Sequence, residues 1–171
     1  MKEMFRYGLV LAIICIVAAG LLAGVNSLTK DKILQQAQAE EEASLKEVMP
    51  AGASFKAIKS DNDTLYYKVY DKSKNFIGIA FKASGKGYSS IIETMVGMLK
   101  DGTITAIKVL SQNETPGLGA RVSEPDFTSQ FNNKKDLNEV EAITGATISS
   151  KAVMDSVQKK AQDLKEIIKN E

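Results

Sequence analysis

The chain opens with an unbroken apolar run: from Tyr7 to Val25 no residue is charged, and most positions are Leu, Ile, Val or Ala. At about 1.5 Å per residue, a helix of this length spans roughly 28 Å, close to the hydrocarbon thickness of a bilayer. Small residues at Ala18, Ala19, Gly20, Ala23 and Gly24 also suit a signal peptide. The run is long for one, however, and no clear A-x-A site follows it. The pattern predicts an uncleaved transmembrane anchor over residues 1–26, with the lone Cys15 as one more small apolar residue within it. Lys2 and Arg6 precede the run and Lys30 and Lys32 follow it, so the positive-inside signal is nearly balanced. The short leading segment favours N-in, C-out, which places the remaining chain on the extracytoplasmic side.

Polarity rises after Val25. Ser27-Leu28-Thr29 offers an N-cap, a thin apolar stripe (Ile33, Leu34, Ala37, Leu45, Val48) follows, and Pro50 stops it. This predicts a polar connector helix over residues 27–50. In residues 51–171 the period shortens to that of strands. Thr64 to Tyr70 alternates, with Leu65, Tyr67 and Val69 on one face, and Phe76 to Ala83 forms a second strand before a Gly85-Lys86-Gly87 turn. Ser90 to Lys100 is apolar on both faces, as a covered central strand is. Asp101-Gly102 signals a tight hairpin into Thr103 to Leu110. Glu124-Pro125-Asp126 starts a short helix bearing Phe127 and Phe131. A final helix runs from about Ser149 to Lys169, with Val153, Val157, Ala161, Leu164 and Ile168 as its stripe. Grouped strands followed by helix predict an α+β fold: an N-terminal transmembrane helix, then an antiparallel-sheet domain with a C-terminal helix.

Composition narrows the chemistry. The 171 residues carry 22 Lys+Arg against 21 Asp+Glu, a net charge of +1, with no basic stripe of the kind that binds nucleic acid. There is no histidine, the commonest metal ligand and general base. With one cysteine the chain alone builds no disulfide framework, zinc cluster or iron–sulfur site. A redox role therefore needs an acquired organic cofactor.

Two stretches carry candidate chemistry. Residues 143–151 read I-T-G-A-T-I-S-S-K just before the last helix. A glycine turn feeding a helix N-terminus is a good seat for a phosphate, because the first N–H groups there lack partners. The same residues also suit a plain cap, with Thr147, Ser149 or Ser150 at the N-cap and Gly145 in the turn. Residues 112–120 read Q-N-E-T-P-G-L-G-A, a loop with two glycines and a proline. It is either an ordinary strand exit or a surface that a flat ligand approaches closely.

Taken in order, the anchor, a sheet segment with Gly-Tyr-Ser, an E-T-P-G-L-G loop and T-G-A-T-x-S resemble the RnfG family, the FMN-binding subunits of Rnf complexes, over essentially the whole chain. The resemblance implies FMN joined by a phosphodiester bond to the last threonine of T-G-A-T, here Thr147, with Thr144, Gly145 and Ala146 as recognised neighbours. The family's motif begins with aspartate, whose position holds Glu141 here. It further implies cofactor contacts from Glu114, Thr115, Gly117, Leu118 and Gly119 of the loop, and from Gly87, Tyr88 and Ser89. The resemblance also implies a flavin transferase that makes the linkage, drawing FMN from FAD. The implied function is electron carriage within an ion-translocating ferredoxin:NAD+ oxidoreductase, whose other membrane and peripheral subunits would be partners alongside the lipid bilayer. Three alternatives stand beside it. One is NqrC, the related flavin-binding component of the sodium-translocating NADH:quinone reductase, which the lack of tryptophan disfavours. Another is a cofactor-free, membrane-anchored scaffold or assembly protein, and the third is a flavin carrier of an extracellular electron-transfer system.

Overall fold

A computed structural model describes residues 2–60 and 63–168. The chain divides into two compact units, residues 1–41 and 42–171. The first helix, α1 (Lys2–Val48), is continuous, without a second start at Ser27–Thr29. The expected cap does not form because the Thr29 hydroxyl donates back to the Val25 carbonyl (2.9 Å), as a mid-helix threonine does. Among the described residues α1 contains the one helix long and apolar enough to cross a membrane, and its apolar side chains are exposed from Met4 to Leu34. The unit boundary falls after Glu41, inside the helix, because Ser44, Leu45 and Val48 are buried with the sheet.

In the second unit five strands form one antiparallel meander in the order β1-β2-β3-β4-β5. They are β1 (Ser54–Ser60), β2 (Asp63–Tyr70), β3 (Phe76–Lys86), β4 (Ile91–Leu99) and β5 (Ile104–Ser111). Each strand buries residues on alternate faces, which defines two cores. On one face Ile79, Phe81, Ile92, Val96, Met98 and Ile104 meet Val153, Val157 and Leu164 of the last helix, α3 (Thr147–Ile168). Phe127 and Phe131 close this core edge to face, 5.5 Å apart. Phe127 lies in α2 (Pro125–Thr128), the short helix signalled by Glu124-Pro125. On the other face Val69, Ala80 and Met95 meet Leu45, Val48 and Met49. The Thr105 hydroxyl donates to the Val48 carbonyl there, tying the end of α1 to β5.

Four local features depart from the sequence reading. β1 carried no clear alternation; its Phe55 and Ile58 serve opposite cores, and the register slips between Ile58 and Lys59. β2 is likewise two-sided, burying Tyr66 with the α3-side core and Val69 with the other. β3 does not turn at Gly85 but pairs through Gly85 and Lys86 with Ile92 and Ile91, so the turn is Gly87–Ser90, closed by Gly87 N–H to the Ser90 carbonyl (2.8 Å). The link between β4 and β5 is Lys100–Thr103 rather than a two-residue hairpin, with Gly102 at a φ of 85° and the Asp101 carboxylate accepting from Thr103 N–H. The expected end of the last helix at Lys169 lies outside the described residues.

One core group is unsatisfied. Thr94 of β4 is fully buried, and its hydroxyl has no partner among the described residues. A buried hydroxyl without a hydrogen bond is costly, and valine keeps its shape without the oxygen. Thr94→Val is expected to raise stability by about 1 kcal/mol. Thermal denaturation of the detergent-solubilised chain checks this, and a lowered midpoint would mean that the hydroxyl has a partner.

Candidate functional site

Three segments distant in sequence meet at the end of the sheet where β5 leaves it. They are the Gly87–Ser90 turn, the loop from Glu114 to Gly119, and the first turn of α3. Together Tyr88, Glu114, Thr115, Leu118, Gly119, Gly145, Ala146, Thr147, Ile148 and Ser149 line a cavity of about 440 Å³.

Glu114 joins these segments. Its residue is only 6% exposed. Its carboxylate accepts from the backbone N–H groups of Tyr88 (3.1 Å), Ser89 (2.9 Å) and Ser90 (2.9 Å), and from the Ser149 hydroxyl (2.6 Å). Two glycines make room for it. A Cβ at Gly87 would stand 2.6 Å from Glu114 Oε1, and one at Gly119 would stand 2.8 Å from Oε2 and 2.7 Å from Ser149 Oγ. Burial pushes the Glu114 carboxyl up, but the donors from Ser149, Ser90, Ser89 and Tyr88 outweigh it and hold the group below its ordinary value.

The T-G-A-T stretch is a turn followed directly by helix. Gly145 has a φ of 82°, a conformation that favours glycine. Ala146 N–H donates to the Ile143 carbonyl (2.9 Å), and the Ala146 carbonyl accepts from Ser150 N–H (2.9 Å), the first bond of α3. Ala146 therefore holds the N-cap position and Thr147 is the first helical residue, two residues before the expected start. The side-chain cap expected from Thr147, Ser149 or Ser150 is absent because the two serines lie inside the helix and are engaged elsewhere. Ser150 Oγ donates to the Ala146 carbonyl (2.9 Å) and accepts from Ile143 N–H (3.0 Å), while Ser149 serves Glu114. No acceptor among the described residues takes the N–H groups of Thr147, Ile148 and Ser149. These first-turn donors border the cavity at the positive end of a 22-residue helix.

The comparisons with known proteins agree with this geometry. The RnfG N-terminal region family matches residues 1–48, and the FMN-binding domain family matches residues 87–162, the span that contains all three cavity segments. The matching subunit of the ion-translocating oxidoreductase complex of Methanosarcina acetivorans is 36% identical, covering 91% of this chain and 92% of that protein. The chain belongs to the RnfG family. Another relative, the corresponding subunit of the Na(+)-translocating ferredoxin:NAD(+) oxidoreductase complex of Acetobacterium woodii, is 30% identical over 94% of this chain and 91% of that one. The crystal structure of Shewanella oneidensis NqrC shares the fold, with a TM-score of 0.51 at 21% identity, covering 70% of this chain and 74% of that one.

Of the residues that the RnfG resemblance pointed to, Tyr88, Glu114, Thr115, Leu118, Gly119, Gly145, Ala146 and Thr147 come together around the cavity. Gly87, Ser89, Thr144 and Gly117 do not line it. Gly87 and Ser89 stand behind the wall against Glu114, and Thr144 borders a separate cleft of about 230 Å³ beside Arg121, Glu124 and Glu141. The glycine loop offers fewer donors than its composition suggests, since Leu118 and Ala120 N–H both donate to the Thr115 carbonyl (3.1 and 3.2 Å). Sequence reasoning missed the role of Ser149 as partner of Glu114, and it missed Ile148 as a wall. The two serines after T-G-A-T were visible, but nothing local marks which of them faces a carboxylate 35 residues away.

The residues present fit FMN. The cavity lies within the roughly 300–1,000 Å³ usual for small-molecule sites. Unpaired N–H groups suit its phosphate, and the exposed Tyr88, Leu118 and Ile148 side chains give a planar apolar ring surfaces to lie against.

Proposed function

We propose that the chain is the electron-carrier subunit of a membrane-bound, ion-translocating ferredoxin:NAD+ oxidoreductase complex, holding FMN through a phosphodiester bond to Thr147. The observation that carries this reading is the placement of Thr147. It is exposed, it is the first residue of α3, and it borders the cavity beside the unpaired N–H groups of its own turn. A threonine esterified there puts its phosphate where the helix end favours negative charge. The bond from Thr147 Oγ1 to phosphorus replaces the pyrophosphate bond of FAD, and AMP leaves. A flavin transferase supplies the base that takes the hydroxyl proton, since the described structure places no titratable side chain on Thr147.

When bound, FMN supplies one- and two-electron redox chemistry. The chain's own residues hold and orient it. Gly145 bends the chain so that Thr147 enters the helix at the cavity mouth. Thr115, Leu118 and Ile148 form the walls. Tyr88, in the turn held by Glu114, offers an aromatic face at the cavity. The exposed apolar surface of α1 supports membrane anchoring by a single pass, and this reading sets the sheet domain on the extracytoplasmic side. The other subunits of the complex are the partners, and electrons pass to and from them.

Co-production of the full chain with a flavin transferase, followed by in-gel fluorescence after denaturation, tests the attachment. The wild-type band is expected to fluoresce and the Thr147→Ala band to be dark. Equal fluorescence from both would remove Thr147 as the acceptor.

A further inference from the structure

Glu114 belongs to the cavity wall, yet its carboxylate is turned into the protein rather than left for a ligand. Both oxygens are taken: Oε1 accepts from Ser89 and Ser90 N–H, and Oε2 accepts from Tyr88 N–H and the Ser149 hydroxyl. Each also lies too close for a side chain at the facing glycine, Oε1 at 2.6 Å from a Cβ on Gly87 and Oε2 at 2.8 Å from one on Gly119. Ser90 Oγ, 3.4 Å from Oε1, in turn accepts from Asn113 N–H (2.8 Å), which fastens the turn to the loop a second time. Three consecutive amides converging on one carboxylate form a small anion-holding nest, and the anion in it is supplied by the chain itself.

We propose that Glu114 is a positioning residue. It is an internal anion that clamps the Gly87–Ser90 turn to the first turn of α3, and so fixes the gap between Tyr88 and Thr147 in which the flavin ring is held. This rests on the FMN reading and deepens it, since a tether at Thr147 alone leaves the ring free to swing. Thr147 and Ser149 share one helical turn, so the Ser149–Glu114 bond sets the acceptor's place relative to the opposite wall. The family resemblance assigned Glu114 to cofactor contact. The hydrogen bonds assign it instead to holding the walls that make contact.

The clamp is tested on the full chain in detergent, with and without co-produced flavin transferase. The variants are Glu114→Gln, Glu114→Asp and Ser149→Ala. In flavin-free protein, amide exchange at residues 88–90 and 150–153, where α3 hydrogen bonding begins, is expected to rise together, roughly tenfold or more, in Glu114→Gln. In loaded protein, Glu114→Gln is expected still to carry flavin on Thr147, since the acceptor hydroxyl stays exposed. Its flavin-fluorescence anisotropy is expected to fall roughly twofold as nanosecond motion of the tethered ring is released. Ser149→Ala, which leaves the carboxylate and its amide donors in place, is expected to show a smaller fall. Glu114→Asp is expected to recover part of the anisotropy because it keeps the charge. Wild-type anisotropy in a loaded Glu114→Gln chain overturns the proposal, as does exchange that rises in only one of the two segments. If Glu114→Gln does not fold, Ser149→Ala decides: unchanged anisotropy overturns the proposal and a fall supports it. A wild-type chain that takes up no flavin removes the underlying FMN reading and the positioning role with it, and the wild-type control alone recognises that failure.

Discussion

Gly85→Ala is expected to destabilise the sheet domain by about 3 kcal/mol, at the upper end of what overpacking does. Gly85 lies within β3, opposite Ile92, where α3 crosses the sheet. A Cβ there would stand 2.1 Å from the Ala152 carbonyl oxygen and 2.8 Å from its carbon. Those are backbone atoms inside a helix, so no rotamer change clears the clash and α3 as a whole must move. Its first turn carries both Thr147, the proposed acceptor, and Ser149, whose 2.6 Å bond to Glu114 would lengthen with the same movement. One added methyl therefore acts on packing and on the cavity together. Thermal denaturation followed by circular dichroism should show a midpoint lower by roughly 6–12 °C. A midpoint within a degree or so of wild type would mean that α3 does not seat against β3 in this way.

Glu114→Gln is expected to lower stability by about 2–4 kcal/mol near neutral pH, because the amide offers one acceptor oxygen to donors that need two. The dependence on pH identifies the cause. The Glu114 carboxyl is held below its ordinary value of 4.5 in the folded chain, so folding favours the ionised form. Its contribution is fully present above about 4.5 and is lost as pH falls through the lower folded value. The gap between wild type and Glu114→Gln should therefore be constant at neutral pH and narrow once the pH drops below about 4.5. Urea titrations at several pH values measure it, and a gap that is unchanged or widens in acid would falsify the ionised clamp.

The sheet was legible where strands carry a two-residue period, and the last helix where Val153, Val157 and Leu164 recur on one side. β1 was not legible, because Phe55 and Ile58 each serve a different core and leave no single-faced pattern. The continuity of α1 was hidden for a different reason. Ser27 and Thr29 are good caps in isolation, and only the helix already running through them turns the Thr29 hydroxyl back to Val25. At the site, the two motifs drew attention to the residues that meet at the cavity, because glycine turns and a helix start are local signals. The inward aim of Glu114 was not readable, since its donors lie 24 to 35 residues away and are mostly backbone amides, which every sequence contains.

The outer position of β1 in the meander bears on crowding in the membrane plane. A meander leaves two open edges, and an open edge invites another strand. On β5 that invitation is withdrawn, because residues 133 and 134 donate to and accept from it at Thr105 and Ile104. On β1 the exposed Lys56 and Lys59 put positive charge along the open edge. Anchored proteins meet one another at high local concentration and in similar orientations, which are the conditions that favour edge-to-edge growth. Like charges on the outer strand thus oppose edge-to-edge pairing between neighbouring copies of the domain.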